Sequence, residues 1–118
     1  MKKITYLFIV IIFVHINLYS QNDSNHFYFA SWNVENLFDT IDDPDKNDQE
    51  FTPDSDKKWT DKRLSIKLDN IAIVISSMNN NLAPDLMAFQ EVEHETLIDS
   101  LIKRLTIKNY KSVYFESP

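Results

Sequence analysis

Two short stretches carry the residues that could do chemistry: Ser31-Trp32-Asn33-Val34-Glu35-Asn36-Leu37 and Asp85-Leu86-Met87-Ala88-Phe89-Gln90-Glu91-Val92. Each reads as an apolar strand whose last residues turn to amide and carboxylate. If the two strands lie side by side and parallel, Asn33, Glu35 and Glu91 meet at one rim of a sheet. An amide oxygen and two carboxylates are hard oxygen donors, which Mg2+, Mn2+ or Ca2+ accepts. Glu91 follows directly on an apolar run, where burying a carboxylate is costly unless its charge is compensated, and a bound cation compensates it. A plainer reading is also open: the strand has already reached solvent at Gln90, Glu91 is an ordinary strand-end acid, and Asn33 merely hydrogen-bonds there. Spacing alone does not choose between them.

The elements that must position these residues follow from periodicity. His26–Val34 reads as a strand, with Phe27, Phe29, Ser31, Asn33 and Glu35 on one face and Tyr28, Ala30, Trp32 and Val34 on the other. Both faces are largely apolar, which predicts an interior strand covered on both sides. Thr60 or Asp61 can cap a helix running to about Asn79, since Leu64, Leu68, Ile71, Ile75 and Met78 recur at helical spacing. Asn79-Asn80-Asn81 suits a helix end, because Asn tolerates a left-handed backbone, and Pro84 stops the helix from resuming. A second helix is predicted over Glu95–Thr106, with Leu97, Ile98, Leu101, Ile102 and Leu105 as its buried stripe, and a third strand over Tyr110–Phe115. The order strand, helix, strand, helix, strand is an α/β pattern. A right-handed crossover makes the first two strands parallel, and sites in parallel sheets gather at the carboxyl ends of the strands, where Asn33, Glu35 and Glu91 lie.

Composition bounds the remaining possibilities. Lys2 and Lys3, an apolar run from Ile4 to Val14 and the small Ser20 have the layout of a secretory signal peptide, which predicts cleavage after residue 20 and a secreted or periplasmic product over 21–118. The apolar run falls short of the roughly 20 residues a spanning helix needs, although an uncleaved N-terminal anchor is the alternative. The net charge of −6 becomes more negative on cleavage, and an acidic surface argues against broad attraction to nucleic acid. With no Cys the chain has neither disulfides nor a cysteine-linked lipid, and with no Gly it cannot form a glycine-rich phosphate loop. Residues 39–60 form a long acidic connection interrupted by Pro44 and Pro53, with Phe51 and Trp59 as its anchors on the body.

Other motifs are weaker. Asp43-Pro44-Asp45-Lys46-Asn47 begins like a calcium loop, but Asp48 stands where Gly is needed and Asp54 replaces the closing Glu. His94-Glu95 begins a zinc-protease pattern, yet Ile98 occupies the position of the second His. His26 reads as a strand-entry residue. Lys62, Arg63 and Lys67 could meet phosphate but read more simply as a solvated helix face.

Trp32-Asn33-Val34-Glu35-Asn36-Leu37, followed after one helix by Pro84-Asp85-Leu86-Met87-Ala88-Phe89-Gln90-Glu91-Val92, resembles the opening of the endonuclease/exonuclease/phosphatase superfamily. The resemblance implies a four-layer αββα sandwich, of which this chain would be the N-terminal portion, and metal-assisted hydrolysis of a phosphoester substrate, possibly nucleic acid. It implies that Glu91 is the metal-binding glutamate and that Asn33 orients the metal and phosphate region. Glu35 would be a second acidic metal contact, with Mg2+ (or Mn2+/Ca2+) as cofactor, and Gln90 a hydrogen-bonding support behind Glu91. A nuclease or phosphodiesterase is the leading expectation; a phosphatase, a sphingomyelinase-like phospholipid hydrolase and a non-catalytic secreted remnant are the alternatives. Deoxyribonuclease-type members can place basic DNA-contacting residues where this chain has Glu35 and Glu93, which speaks against that style of groove binding. The family's catalytic histidines and closing Asp-His have no counterpart here, so the chain on its own is expected to be inactive. No stable protein partner is implied.

Overall fold

The computed structural model describes residues 26–115. The expected signal peptide lies outside them. In chain order the elements are strand β1 (Phe29–Leu37), a short 3-10 turn (Gln49–Phe51), helix α1 (Asp61–Asn81), strand β2 (Leu86–Val92) and helix α2 (Glu95–Ile102). β1 and β2 are parallel neighbours, with Phe29 opposite Leu86 and Asn33 opposite Gln90. A parallel pair needs a crossover of a dozen or more residues, and α1 supplies it. The result is a small α/β unit.

Helix α1 starts where its chemistry says it should. The Thr60 side chain accepts the Arg63 N–H at 3.4 Å, satisfying one of the orphan donors of the first turn. The regular turns stop before Met78, and Asn79 and Asn80 take left-handed backbone (φ 51° and 55°). The Leu82 and Ala83 N–H groups then close the end on the Asn79 and Met78 carbonyls, each at 3.1 Å. This turn aims Pro84 and Asp85 back toward the start of β1, where Asp85 receives the Tyr28 N–H at 2.8 Å and returns its own N–H to the Tyr28 carbonyl at 2.8 Å.

The core is the volume between the two strands and the two helices. Val34 and Leu37 from β1, Leu68, Ile71 and Ile75 from α1, and Leu97 and Leu101 from α2 are all buried in it, with Trp32, Met87 and Phe89 packed against them. The helical stripes read from the sequence therefore face inward. The expectation of a strand covered on both sides is not met among the described residues. The core occupies the Trp32 and Val34 face, whereas Phe27, Phe29 and Leu86 are 70%, 54% and 52% exposed.

Two further expectations change. Helix α2 ends at Ile102, not Thr106, and the next residues tighten into a turn through Arg104 N–H to Leu101 O (2.9 Å) and Leu105 N–H to Ile102 O (3.0 Å). The cause is local. Arg104 donates its guanidinium to the Ser100 carbonyl at 2.6 Å, the acceptor that its own N–H would use if the helix continued. The other guanidinium nitrogens reach Asp69 (2.8 Å) and Ser65 (3.2 Å), which bolts α2 to α1. The predicted third strand is the second correction: residues 110–115 are irregular. The tyrosine hydroxyls fasten this segment by their tips, Tyr110 to the Pro84 carbonyl and Tyr114 to the Glu93 carbonyl, both at 2.5 Å. The segment is thus fastened through side-chain tips at the two ends of β2, to Pro84 before it and Glu93 after it. A cleft of about 950 Å³ separates this segment from β2 and α2.

Candidate functional site

The strand pairing breaks where the polar residues begin. Between Asn33 opposite Gln90 and Leu37 opposite Val92, β1 spends Val34, Glu35 and Asn36 while β2 spends Glu91 alone. This is an enlarged bulge. Glu35 (φ 53°), Asn36 (φ 57°) and Glu91 (φ 60°) all adopt left-handed backbone around it. Such a backbone costs an ordinary L-residue roughly 1–2 kcal/mol, Asn rather less. Two glutamates held there mark a place where the fold tolerates strain to aim side chains.

The bulge brings Asn33 and Glu91 together. Asn33 donates its Nδ2 to Glu91 Oε1 at 2.6 Å, and its Oδ1 accepts the Glu35 N–H at 2.8 Å. The Asn36 N–H reaches Glu91 Oε2 at 3.1 Å. Each Glu91 oxygen thus has one donor that fixes it and a lone pair left over, and the carboxylate remains exposed to solvent. Glu35 is also exposed, but its shared face with Asn33 does not follow from simple alternation, because its left-handed backbone breaks the period of two. Gln90 turns away from this group and donates to Ser31 Oγ at 3.0 Å.

Lys67 is a participant that sequence reading assigned to a solvated helix face. Its ammonium donates to the Glu35 carbonyl at 2.5 Å and the Asn36 carbonyl at 3.2 Å, so α1 braces the bulge directly. Burial pushes this ammonium below the usual lysine range, against the pull of the Glu35 and Glu91 charges. The only hint in the sequence is that Lys67 precedes Leu68 on the edge of the buried stripe.

A second polar cluster lies below the rim. Glu93 is inward-facing: its side chain is 2% exposed, and its Oε2 accepts the Asp39 N–H at 2.8 Å. It therefore does not stand on the surface where a groove-binding residue would be. His94 Nε2 sits 3.9 Å from Glu93 Oε1 and 4.0 Å from Asp39 Oδ2. Asp48, 1% exposed, comes from the acidic connection, which is held down by Phe51 stacked on Phe38 at 4.2 Å and by Trp59, whose indole N–H reaches the Phe38 carbonyl at 3.0 Å. Burial raises the Glu93 carboxyl above the usual range, assisted by a hydrogen bond to the Asp48 side chain and by the Asp39 charge, and opposed by the Asp39 N–H and His94. Burial works the same way on Asp48. There it is outweighed by hydrogen bonding from the Asp43 N–H, the Glu93 carboxyl, its own N–H and Asp42, and the group is held low.

The chain can now be set beside known proteins. No curated protein and no solved structure matches it. A family model does match, over residues 28–118, a span that takes in both strands, both helices, the acidic connection and every residue of the rim. The chain belongs to the Endonuclease/Exonuclease/phosphatase family, a superfamily of phosphoester hydrolases.

Proposed function

We propose that the rim formed by Asn33, Glu35 and Glu91 is the metal-holding part of a secreted, divalent-metal-dependent phosphodiesterase or nuclease. The observation that carries this reading is the 2.6 Å contact between Asn33 Nδ2 and Glu91 Oε1, made at a break in both strands where glutamates take left-handed backbone. The donor set fits a hard cation. Glu91 offers free lone pairs on a fixed, exposed carboxylate, Glu35 adds a second carboxylate from the same bulge whose charge, like that of Glu91, acts on Lys67, and both are oxygen donors of the kind Mg2+ prefers. Asn33 acts chiefly by holding Glu91, because both ends of its amide are already engaged. Gln90 supports the strand end through Ser31 rather than through Glu91.

A bound Mg2+ supplies charge neutralisation for a phosphate and its leaving oxygen. The chain's own part is to hold the Glu91 carboxylate in a fixed orientation and to keep Lys67 close enough to favour an anionic substrate. Export by the N-terminal segment and packing of a second sheet on the open Phe27, Phe29 and Leu86 face, as in a four-layer αββα sandwich, belong to the same proposal.

Calorimetric titration of the full chain with MgCl2 tests it. Saturable binding that Glu91→Ala abolishes and Glu35→Gln weakens is the expected result. Mg2+ uptake that is indifferent to Glu91→Ala, in a protein with unchanged circular dichroism, would overturn it.

A further inference from the structure

We infer that Asp39, Glu93 and His94, with the buried Asp48 behind them, form a second cation site, separate from the rim, that takes a transition-type divalent ion such as Zn2+. This goes beyond the proposed hydrolase function, which makes no use of these residues. The key observation is how the three carboxylates are held. Each has one oxygen fixed by a backbone N–H: Asp39 Oδ1 by Ile41 (2.7 Å), Glu93 Oε2 by Asp39 (2.8 Å) and Asp48 Oδ2 by Asp43 (3.1 Å). The remaining oxygens of Asp48 and Glu93 are buried and receive no N–H or hydroxyl donor among the described residues, so a hydrogen bond between the two carboxyls forms only with a proton shared between them. Two buried carboxyls with no other donor are strongly unfavourable when both are charged, and a cation beside Glu93 relieves that cost.

The geometry suits a metal ion. One ligand atom each from Asp39, Glu93 and His94 lies within 4.8 Å of the others. A tetrahedral ion held at about 2.1 Å would bring its ligand atoms to roughly 3.4 Å apart, against 3.9 Å and 4.0 Å observed from His94 Nε2. Closing that gap takes a side-chain adjustment of about half an ångström. His94 is free to make it: the residue sits at the N-cap of α2 without a capping hydrogen bond from its side chain. The backbone N–H groups behind the carboxylates orient ligands in the way that supporting hydrogen bonds do around metals. An imidazole nitrogen among carboxylates favours zinc-like ions over the all-oxygen preference of Mg2+.

The competing occupant is a single proton shared between Asp48 and Glu93, and the test separates the two. The full chain is titrated with ZnCl2 by calorimetry, and the His94 ring signals are followed by NMR. One saturable Zn2+ per chain is expected in wild type and equally in Glu91→Ala, with the His94 signals shifting at the same stoichiometry. Glu93→Gln should raise the Zn2+ Kd about 100-fold, Asp48→Asn, which removes only the charge behind Glu93, about 10-fold, and His94→Gln, at a half-exposed position that does not threaten the fold, at least about 10-fold. A folded wild-type chain that binds no Zn2+, or Zn2+ binding that His94→Gln and Glu93→Gln leave unchanged, would overturn the site. Loss of Mg2+ binding alone would count against the rim and leave this inference standing.

Discussion

At the scale of single residues, the rim depends on one amide. Asn33→Ala removes the 2.6 Å donor from Glu91 Oε1 and the acceptor of the Glu35 N–H together. A weakening of Mg2+ binding by about 10–100-fold is expected in calorimetry, the range found when a ligand's supporting partner is lost. Glu35→Gly should act in two directions. It relieves a left-handed residue and raises stability by about 1 kcal/mol in urea unfolding, while lowering Mg2+ affinity because a carboxylate is gone. The meeting of Asn33 and Glu91 at one rim was legible in sequence because an apolar run ending in an amide or carboxylate marks a strand's end. Glu93 and Asp48 were not. An acid in an acidic tract looks the same whether solvent or protein surrounds it, and Asp48 is buried within a connection that Phe51 and Trp59 hold against Phe38.

At the scale of elements, the junction between α1 and β2 rests on an ion pair that has a pH signature. Lys108 donates to Asp85 Oδ1 at 2.6 Å, and this bond, with the Tyr28 N–H, holds the Asp85 carboxyl below the usual carboxylate range. A depressed carboxyl contributes stability above its ordinary value near 3.8 and loses it as pH falls through the folded-state value. Thermal melts of wild type and Asp85→Asn should therefore differ at pH 6 and converge once the pH has fallen below 3.8 and through the lowered folded-state value. The packed helices make a larger, pH-independent contribution. Ile75→Ala and Leu101→Ala each empty a fully buried position and should cost about 2–5 kcal/mol in denaturant unfolding. Helix α1 was readable because a 3.6-residue apolar stripe, a Thr cap and three asparagines agree with one another. The end of α2 was not readable, since the residue that stops it, Arg104, is an ordinary helix former whose guanidinium bonds the Ser100 carbonyl while also held by Ser65 and Asp69, 39 and 35 positions away. The third strand was misread for a similar reason. Aromatic and branched residues at 110–115 have strand propensity, but two tyrosine hydroxyls find carbonyls elsewhere.

At the scale of the whole molecule, the asymmetry of the sheet governs behaviour in solution. Phe29 and Leu86 sit opposite each other in the parallel register, and both are more than half exposed, with Phe27 beside them. A contiguous apolar patch on a sheet invites association. Light scattering of the full chain should show mass rising with concentration, and Phe29→Thr combined with Leu86→Thr should suppress the rise without altering the helical circular dichroism signal. An uncovered sheet face is what part of a sandwich leads one to expect; which face lies open could not be read from sequence, because an apolar face reads the same whether or not anything packs on it.

Trp59 gives the acidic connection an optical voice. Its indole is tied to the Phe38 carbonyl, set edge-on to Phe51, and lies 5.7 Å from the Lys67 ammonium that braces the bulge. Emission from this ring would respond to the lysine's electric field and to whether residues 39–60 stay docked. A change at the rim that moves Lys67 would thus appear as a wavelength shift, with no label attached; Trp32→Phe would remove the other indole and leave Trp59 as sole reporter.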